Sequence, residues 1–292
     1  MTTLDIAGTP HAYQLTPPVA NPDAPTLVFI HGWLLSRHYW QPLIEELARD
    51  YRCLCYDLRG FGDSQPPTGS DRDASHADTP NGTAHAYSLE AYASDLEQLL
   101  ISLDLDRVWL IGHSLGGSIA LWGGDRCPER VRGTICVNAG GGIYLKEEFE
   151  RFRGAGAQMV RFRPSWLQHL PLMDLAFTRA MVAQPLQRQW GRQRLADFVR
   201  ADRAAALGSL LESTTESEVH QLPRLVARLT QPAYFLAGDR DRVMEPKYVR
   251  HLASFHALFS ENLIEIADCG HMAMLEQTEA TAASVRDILA RH

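Results

Sequence analysis

The chain has 292 residues, 45% of them hydrophobic, and 35 acidic against 28 basic residues give it a net charge of −7. That length suits one elaborated α/β domain, or a core with a small second domain, and the apolar share supplies a sizeable core. The acidic balance argues against nucleic acid as a partner, no window reaches the roughly 18 consecutive apolar residues of a membrane-spanning helix, and residues 1–6 lack the basic and apolar regions of a signal peptide.

In chain order, a hairpin is expected from Leu4 to Leu15, followed by a strand at 26–30, a helix at 38–49 and a strand at 52–56. Cys53 and Cys55 lie two apart on that strand, so they share one face and pack as small hydrophobes. Five cysteines without framework spacing fit a reduced, cytoplasmic setting. Residues 65–86 are rich in Pro, Asp, Ser, Thr, Gly and His and read as a long surface loop, in which His76 and His85 are solvated rather than metal ligands. A helix over 88–103 carries Leu89, Tyr92, Leu96, Leu99, Leu100 and Leu103 at helical spacing, with Ser88 as its N-cap. Strands at 107–111 and 131–138 follow, the second ending at Asn138 before a run of glycines. Further strands are expected at 232–237 and 261–266. Strands alternating with helices imply a mostly parallel sheet.

The most informative stretch is Val108 to Gly117. An apolar run ends at Gly112, Ser114 follows two residues later, and Gly116 and Gly117 open a helical stretch. Gly112-x-Ser114-x-Gly116 between a strand and a helix is a nucleophile elbow: a tight turn with a strained, exposed central residue and flanks too crowded for a Cβ. The pattern alone is common by chance, but between a strand and a helix it is not. A serine hydroxyl is a weak nucleophile and needs a histidine base, an acid to orient that base, and donors for an oxyanion. On such a fold the chain order is serine, acid, histidine. Downstream, Asp239 and Asp241 follow one strand, and His271 follows the next, where ligands bind in open α/β sheets. Upstream, the strand at 26–30 runs into His31, Gly32 and Trp33, whose backbone can turn toward the serine.

With these segments in place the chain resembles the α/β-hydrolase superfamily, in its cap-bearing branch of serine esterases and lipase-like enzymes, related to haloperoxidase-like and C–C hydrolase members. The resemblance runs from about Thr26 to the C-terminus, outside the middle insertion. It rests on His31-Gly32, Tyr56 to Ser64, Gly112 to Gly117, Gly238 to Val243, and Gly270-His271 through Glu276. It implies a mostly parallel eight-stranded-type sheet flanked by helices, with residues 1–142 and 223–292 as the core and 143–222 as a helical cap inserted after strand six. It also implies Ser114, Asp241 and His271 as the catalytic set, the amides of Trp33 and Leu115 as the oxyanion hole, and no cofactor or metal. Thr278 replaces a proline common in relatives and is expected to N-cap the last helix.

Several single residues have plainer readings. Asp239 is a turn residue that binds backbone amides, Asp57 and Arg59 anchor the loop after the fourth strand, His31 and His113 are structural hydrogen-bonders, and Cys269 is a buried inert thiol. The insertion is rich in apolar side chains, among them Met159, Phe162, Trp166, Leu167, Leu170, Leu172, Leu175, Phe177, Met181 and Val182, which suggest a greasy roof. Trp33, Leu34, His113, Met159, Phe162 and Trp166 are the expected substrate contacts. Arg151, Arg153, Arg161 and Arg163 read as a solvated helical face ahead of an anion site, and attraction to anionic membrane surfaces ranks below that. The partner expected is a small, hydrophobic ester, with peripheral membrane contact left open. Haloperoxidase-like activity, C–C bond hydrolysis and a receptor-like binding role stay open beside ester hydrolysis.

Overall fold

The computed structural model describes residues 2–66, 86–141 and 146–292. At the N-terminus β1 (Thr2–Ile6) and β2 (Thr9–Leu15) pair antiparallel about Ala7 and Gly8, both at positive φ. The remaining strands are β3 (Thr26–Ile30), β4 (Cys53–Tyr56), β5 (Val108–His113), β6 (Val131–Val137), β7 (Ala233–Gly238) and β8 (Leu263–Ile266). They form one eight-stranded sheet in the order β1-β2-β4-β3-β5-β6-β7-β8, with β2 antiparallel to β4 and every later pair parallel. This is the α/β-hydrolase fold. The polar stretch at 65–86, with His76 and His85, lies outside the described residues apart from its two ends.

The central strands are apolar throughout because both faces of the sheet are covered. Alternation divides their side chains between two cores. Val28, Ile30, Leu54, Tyr56, Leu110 and Phe235 face one, while Leu27, Phe29, Cys53, Cys55, Trp109, Ile111 and Leu236 face the other. The two cysteines thus share a face, and burial pushes both thiols up to about 12. On the first side lie α2 (Leu89–Ser102) and α3 (Leu115–Arg126), which pack on each other. Ser88 caps α2 by accepting the Ala91 amide at 3.1 Å, and the helix buries Leu89, Tyr92, Leu96, Leu99 and Leu100. On the second side lie α1 (Gln41–Leu47), preceded by a 3-10 turn at Arg37–Trp40, and two C-terminal helices considered with the site.

Between β6 and β7 the chain leaves the sheet for α4 (Lys146–Arg161), a 3-10 turn at Ser165–His169, α5 (Met173–Phe177), α6 (Arg188–Arg200), α7 (Arg203–Ser213) and α8 (Glu216–Arg228). The expected boundary at 222/223 falls inside α8, which continues through Pro223 and sends Leu222, Leu225 and Val226 into the first core. The insertion therefore merges with the sheet domain at its C-terminal end, and after β7 the helix α9 (Pro246–Ala253) adds Val249, Leu252 and Ala253 to the same core. Among the described residues, no helix is long and apolar enough to cross a membrane.

Three strand registers bring the loops of interest together. Ile30 pairs with Gly112, His113 with Val137, and Gly238 with Ile266. The segments leaving β3, β5, β6, β7 and β8 consequently emerge at one edge of the sheet. The order reverses about β3, since the chain passes from it to β4 on one side and to β5 on the other. This crevice is the switch point where open α/β sheets bind ligands.

Candidate active site

Ser114 stands between β5 and α3 at φ 52 and ψ −118, a conformation that a side-chain-bearing residue adopts only where its surroundings enforce it. The enforcement is visible on both sides. The Ser114 amide donates to the Val137 carbonyl at 3.0 Å, and the Ser114 carbonyl accepts from the Gly117 amide at 2.9 Å. A Cβ on Gly112 would stand 2.1 Å from the Gly116 carbonyl oxygen, and one on Gly116 would stand 2.2 Å from that of Ile30. Only glycine at both places lets helix, strand and the loop after β3 approach this closely. Leu115 is the first residue of α3, so its amide has no acceptor one turn earlier within the helix.

His271 and Asp241 meet at the same edge, with Nδ1 of the ring 2.7 Å from Oδ2 of the carboxylate. The carboxylate takes three further hydrogen bonds, from the Val243 amide (2.8 Å), the Met244 amide (3.0 Å) and the Asn138 side chain (2.9 Å). Burial alone would raise its pKa. The charge and hydrogen bond of His271, with the two amides, outweigh that and hold Asp241 below the ordinary carboxylate value. An ionised Asp241 accepts the proton carried on Nδ1 of the His271 imidazole, and ring geometry turns Nε2 away from the carboxylate. The neighbouring Asp239 accepts the Cys269 amide at 3.0 Å, the turn role expected of it.

The histidine loop is held from below and from above. His113 is buried beneath it, with Nε2 donating to the His271 carbonyl at 2.7 Å. Burial, followed by the proximity of His271, lowers its pKa to about 3. Buried under another residue's backbone, His113 supports the site through the His271 carbonyl, the structural role expected of it. His31 is likewise structural: Nε2 accepts the Leu58 amide at 2.9 Å and Nδ1 donates to the Gly32 carbonyl at 2.8 Å. Above, the insertion contributes residues 181–183. The His271 amide donates to the Met181 carbonyl (2.9 Å), and the Ala183 amide donates to Glu276 Oε2 (2.7 Å). Glu276 ends α10 (Ala273–Glu276) and also accepts the amides of Gly270 (3.0 Å) and Met272 (2.9 Å). Thr278 opens α11 (Thr278–Leu289) without capping it; its hydroxyl donates back to the Met274 carbonyl at 2.9 Å, contrary to the N-cap expectation. The hydroxyl finds an acceptor in the preceding turn, and Gln277 takes the cap position.

The loop after β3 is also tied to the insertion. Trp33 donates its indole N–H to the Ala206 carbonyl of α7 at 2.9 Å, and a Cβ on Gly156 of α4 would lie 3.4 Å from the same ring. Leu34, at φ 56, is buried beside it. Met159, Phe162 and Trp166 are exposed, the latter two at 80% and 58% of their surface, so they present to solvent and not to an enclosed cavity. The arginines diverge from the reading of one solvated face. Arg153 reaches the Leu211 and Thr214 carbonyls, and Arg163 those of Phe198 and Ala201, while Arg151 and Arg161 stay exposed. Long guanidinium stems can satisfy carbonyls at helix ends, and sequence spacing does not reveal that use.

Two site residues escaped the sequence reading in their roles. Asn138 sits at φ 51 at the end of β6 and bridges Asp241 to the Gly270 carbonyl (3.1 Å); a polar residue ending a core strand just before glycines was the available signal. Glu276 ends the Gly270–Glu276 motif, and the three backbone amides it accepts meet it only in the folded chain.

A strained serine turn and a buried carboxylate–imidazole pair thus stand at the switch point of a parallel sheet. A family model described as alpha/beta hydrolase fold matches residues 25–278, and the chain belongs to that family. Among curated relatives it is 27% identical over 271 residues to a 2-hydroxy-6-oxo-2,4-heptadienoate hydrolase of Pseudomonas putida, covering 90% of this chain and 88% of that protein. It is also 27% identical over 272 residues to a 2-succinyl-6-hydroxy-2,4-cyclohexadiene-1-carboxylate synthase of Salmonella typhimurium, covering 92% and 95%. Among solved structures, a thermophilic esterase from Thermogutta terrifontis superposes with a TM-score of 0.71 at 22% identity, over 99% of this chain and 97% of the other. That likeness speaks to the fold.

Proposed function

We propose that the chain is a serine hydrolase that cleaves a carboxylic ester with a hydrophobic acyl or alcohol part, and that residues 143–222 act as a cap over the site. The observation that carries this reading is the 2.7 Å Asp241–His271 hydrogen bond, at the sheet edge where the strained Ser114 turn emerges. In the mechanism, Nε2 of His271 takes the Ser114 hydroxyl proton as the oxygen attacks the ester carbonyl. Asp241 stabilises the imidazolium that results. The amides of Trp33 and Leu115 receive the oxyanion, a contribution of about 3 kcal/mol per donor. The tetrahedral species collapses to an acyl-enzyme, and His271 returns the proton to the leaving alcohol. Water then repeats the sequence and frees the acid. The five unpaired cysteines suit a reducing, cytoplasmic compartment.

The test is reaction with a fluorophosphonate probe, followed by turnover of p-nitrophenyl esters from acetate to palmitate, on wild type and Ser114→Ala. The expected result is labelling and multiple turnover in the wild type and neither in the variant. Wild-type turnover retained by Ser114→Ala would refute the nucleophile. C–C bond hydrolysis is the second reading, supported by the full-length likeness to the heptadienoate hydrolase. Labelling of Ser114 with slow ester turnover, but fast cleavage of a vinylogous diketone, would favour it.

A further inference from the structure

We infer that the exposed surface of the insertion between Arg151 and Met181 docks on an anionic lipid surface, with Phe162 and Trp166 entering the headgroup layer. This inference is independent of which bond the site cleaves.

Two observations coincide on this segment. The first is apolar exposure. Of the eleven large hydrophobic side chains exposed among the described residues, seven fall here: Phe152, Met159, Phe162, Trp166, Leu170, Leu172 and Met181. The core has not claimed them. In the 3-10 turn at Ser165–His169, Leu167 packs against the first core while Trp166 points to solvent. Leu172 is 63% exposed in spite of the strain of φ 62. Exposed apolar side chains concentrated in one segment mark a binding face, since scattered single ones need no partner.

The second observation is charge. The chain is acidic overall, yet residues 151–194 hold eight arginines and a single acid, Asp174. The rest of the chain holds 20 basic and 34 acidic residues. Asp174 is engaged with Arg188 and Arg192, and Arg194 is buried on the carbonyls of Phe177 and Ala180. Arg151, Arg161 and Arg179 are exposed, and their guanidinium groups have no hydrogen-bond or ion-pair partner among the described residues. Each of the three stands one or two residues from an exposed apolar side chain: Phe152, Phe162 and Met181 respectively. The glutamates of α4, Glu147, Glu148 and Glu150, stand at its start, next to Arg151 and at the end of the helix away from Arg161 and Phe162.

Cations interleaved with exposed aromatics are the composition of interfacial segments, in which rings enter the acyl boundary and guanidinium groups meet phosphates. A second copy of the chain presenting the same face is a poor occupant, because two such cationic faces repel. The acidic remainder of the molecule is repelled by an anionic membrane, so the same field that attracts the insertion orients it toward the lipid.

The experiment is pelleting of the full-length chain with vesicles of phosphatidylglycerol and phosphatidylcholine, against vesicles of phosphatidylcholine alone. It is run in wild type and in Ser114→Ala, so that a catalytic serine cannot consume the lipid. The expected result is binding roughly ten-fold stronger to the anionic vesicles, in both proteins, and reduced by salt. Phe162→Ser with Trp166→Ser, and separately Arg151→Gln with Arg161→Gln, should each remove most of that preference. Their circular dichroism should be unchanged, as these side chains lie at the surface. No pelleting, equal pelleting with both vesicles, or undiminished pelleting of both double variants would overturn the proposal. Retention on immobilised polyglutamate without vesicle binding would also overturn it, and would point to an acidic protein instead. Loss of ester turnover in Ser114→Ala with vesicle binding intact would separate this surface from the catalytic reading.

Discussion

His113 shows how one buried side chain couples the site to solution conditions. Its pKa sits at about 3 because burial, and then its neighbour His271, disfavour the charged ring, against an ordinary value of 6.5. Below the ordinary value the unfolded chain takes up a proton that the folded chain refuses, so stability is full above about pH 6.5 and falls as pH drops toward 3. The slope for this group approaches ~1.4 kcal/mol per pH unit. His31, also lowered by burial, adds to it in the same direction. Asp241 contributes from the other side of the scale: its depressed pKa makes its stabilisation present above the ordinary carboxylate value and lost as pH falls through the folded one. Urea unfolding measured from pH 7 to 4 should show this acid slope, and His113→Gln should remove about one proton from it. An unchanged slope in the variant would mean that the ring does not stay neutral in the folded chain.

At the scale of elements, the segment at 181–183 and the loop from Gly270 to Glu276 behave as one clasp. Glu276 accepts three backbone amides, two from the histidine loop and one from the insertion. Glu276→Gln keeps the shape but swaps one acceptor oxygen for a donor facing other donors. A hydrogen bond to a charged group is worth about 1.5–3 kcal/mol, so a destabilisation of that size is expected in urea unfolding. If the clasp positions His271, kcat on a short ester should fall while KM changes little, and Glu276→Asp should restore part of it. A rise in KM alone would make Glu276 a matter of substrate access instead.

At the scale of the molecule, sequence and structure agree where local physics decides the outcome. The strand Thr26–Ile30 is found where its apolar run predicts, Ser88 caps its helix, and the crowding at Gly112 and Gly116 follows from the elbow pattern. What stayed hidden depends on contacts between residues far apart in sequence. Asn138 meets Asp241 across 103 positions, and Arg163 finds carbonyls 35 and 38 residues away. Helical periodicity reads such an arginine as surface, because it carries no information about which helix end lies within reach. Thr278 failed for the opposite reason: an equally local acceptor, the Met274 carbonyl, competes with the cap.

Trp33 joins the two halves of the molecule, with its backbone in the loop after β3 and its indole bonded to Ala206 of α7 beside Gly156 of α4. Three of the other five tryptophans, Trp40, Trp109 and Trp122, are buried in the cores. The protein thus carries an optical gauge of the contact between the insertion and the loop after β3. If the insertion moves as the proposed cap, lifting α4 and α7 from the loop would wet this indole and shift its emission to the red. Such a motion would be timed in the unlabelled chain by stopped-flow fluorescence, and a Trp33→Phe variant should lose that signal.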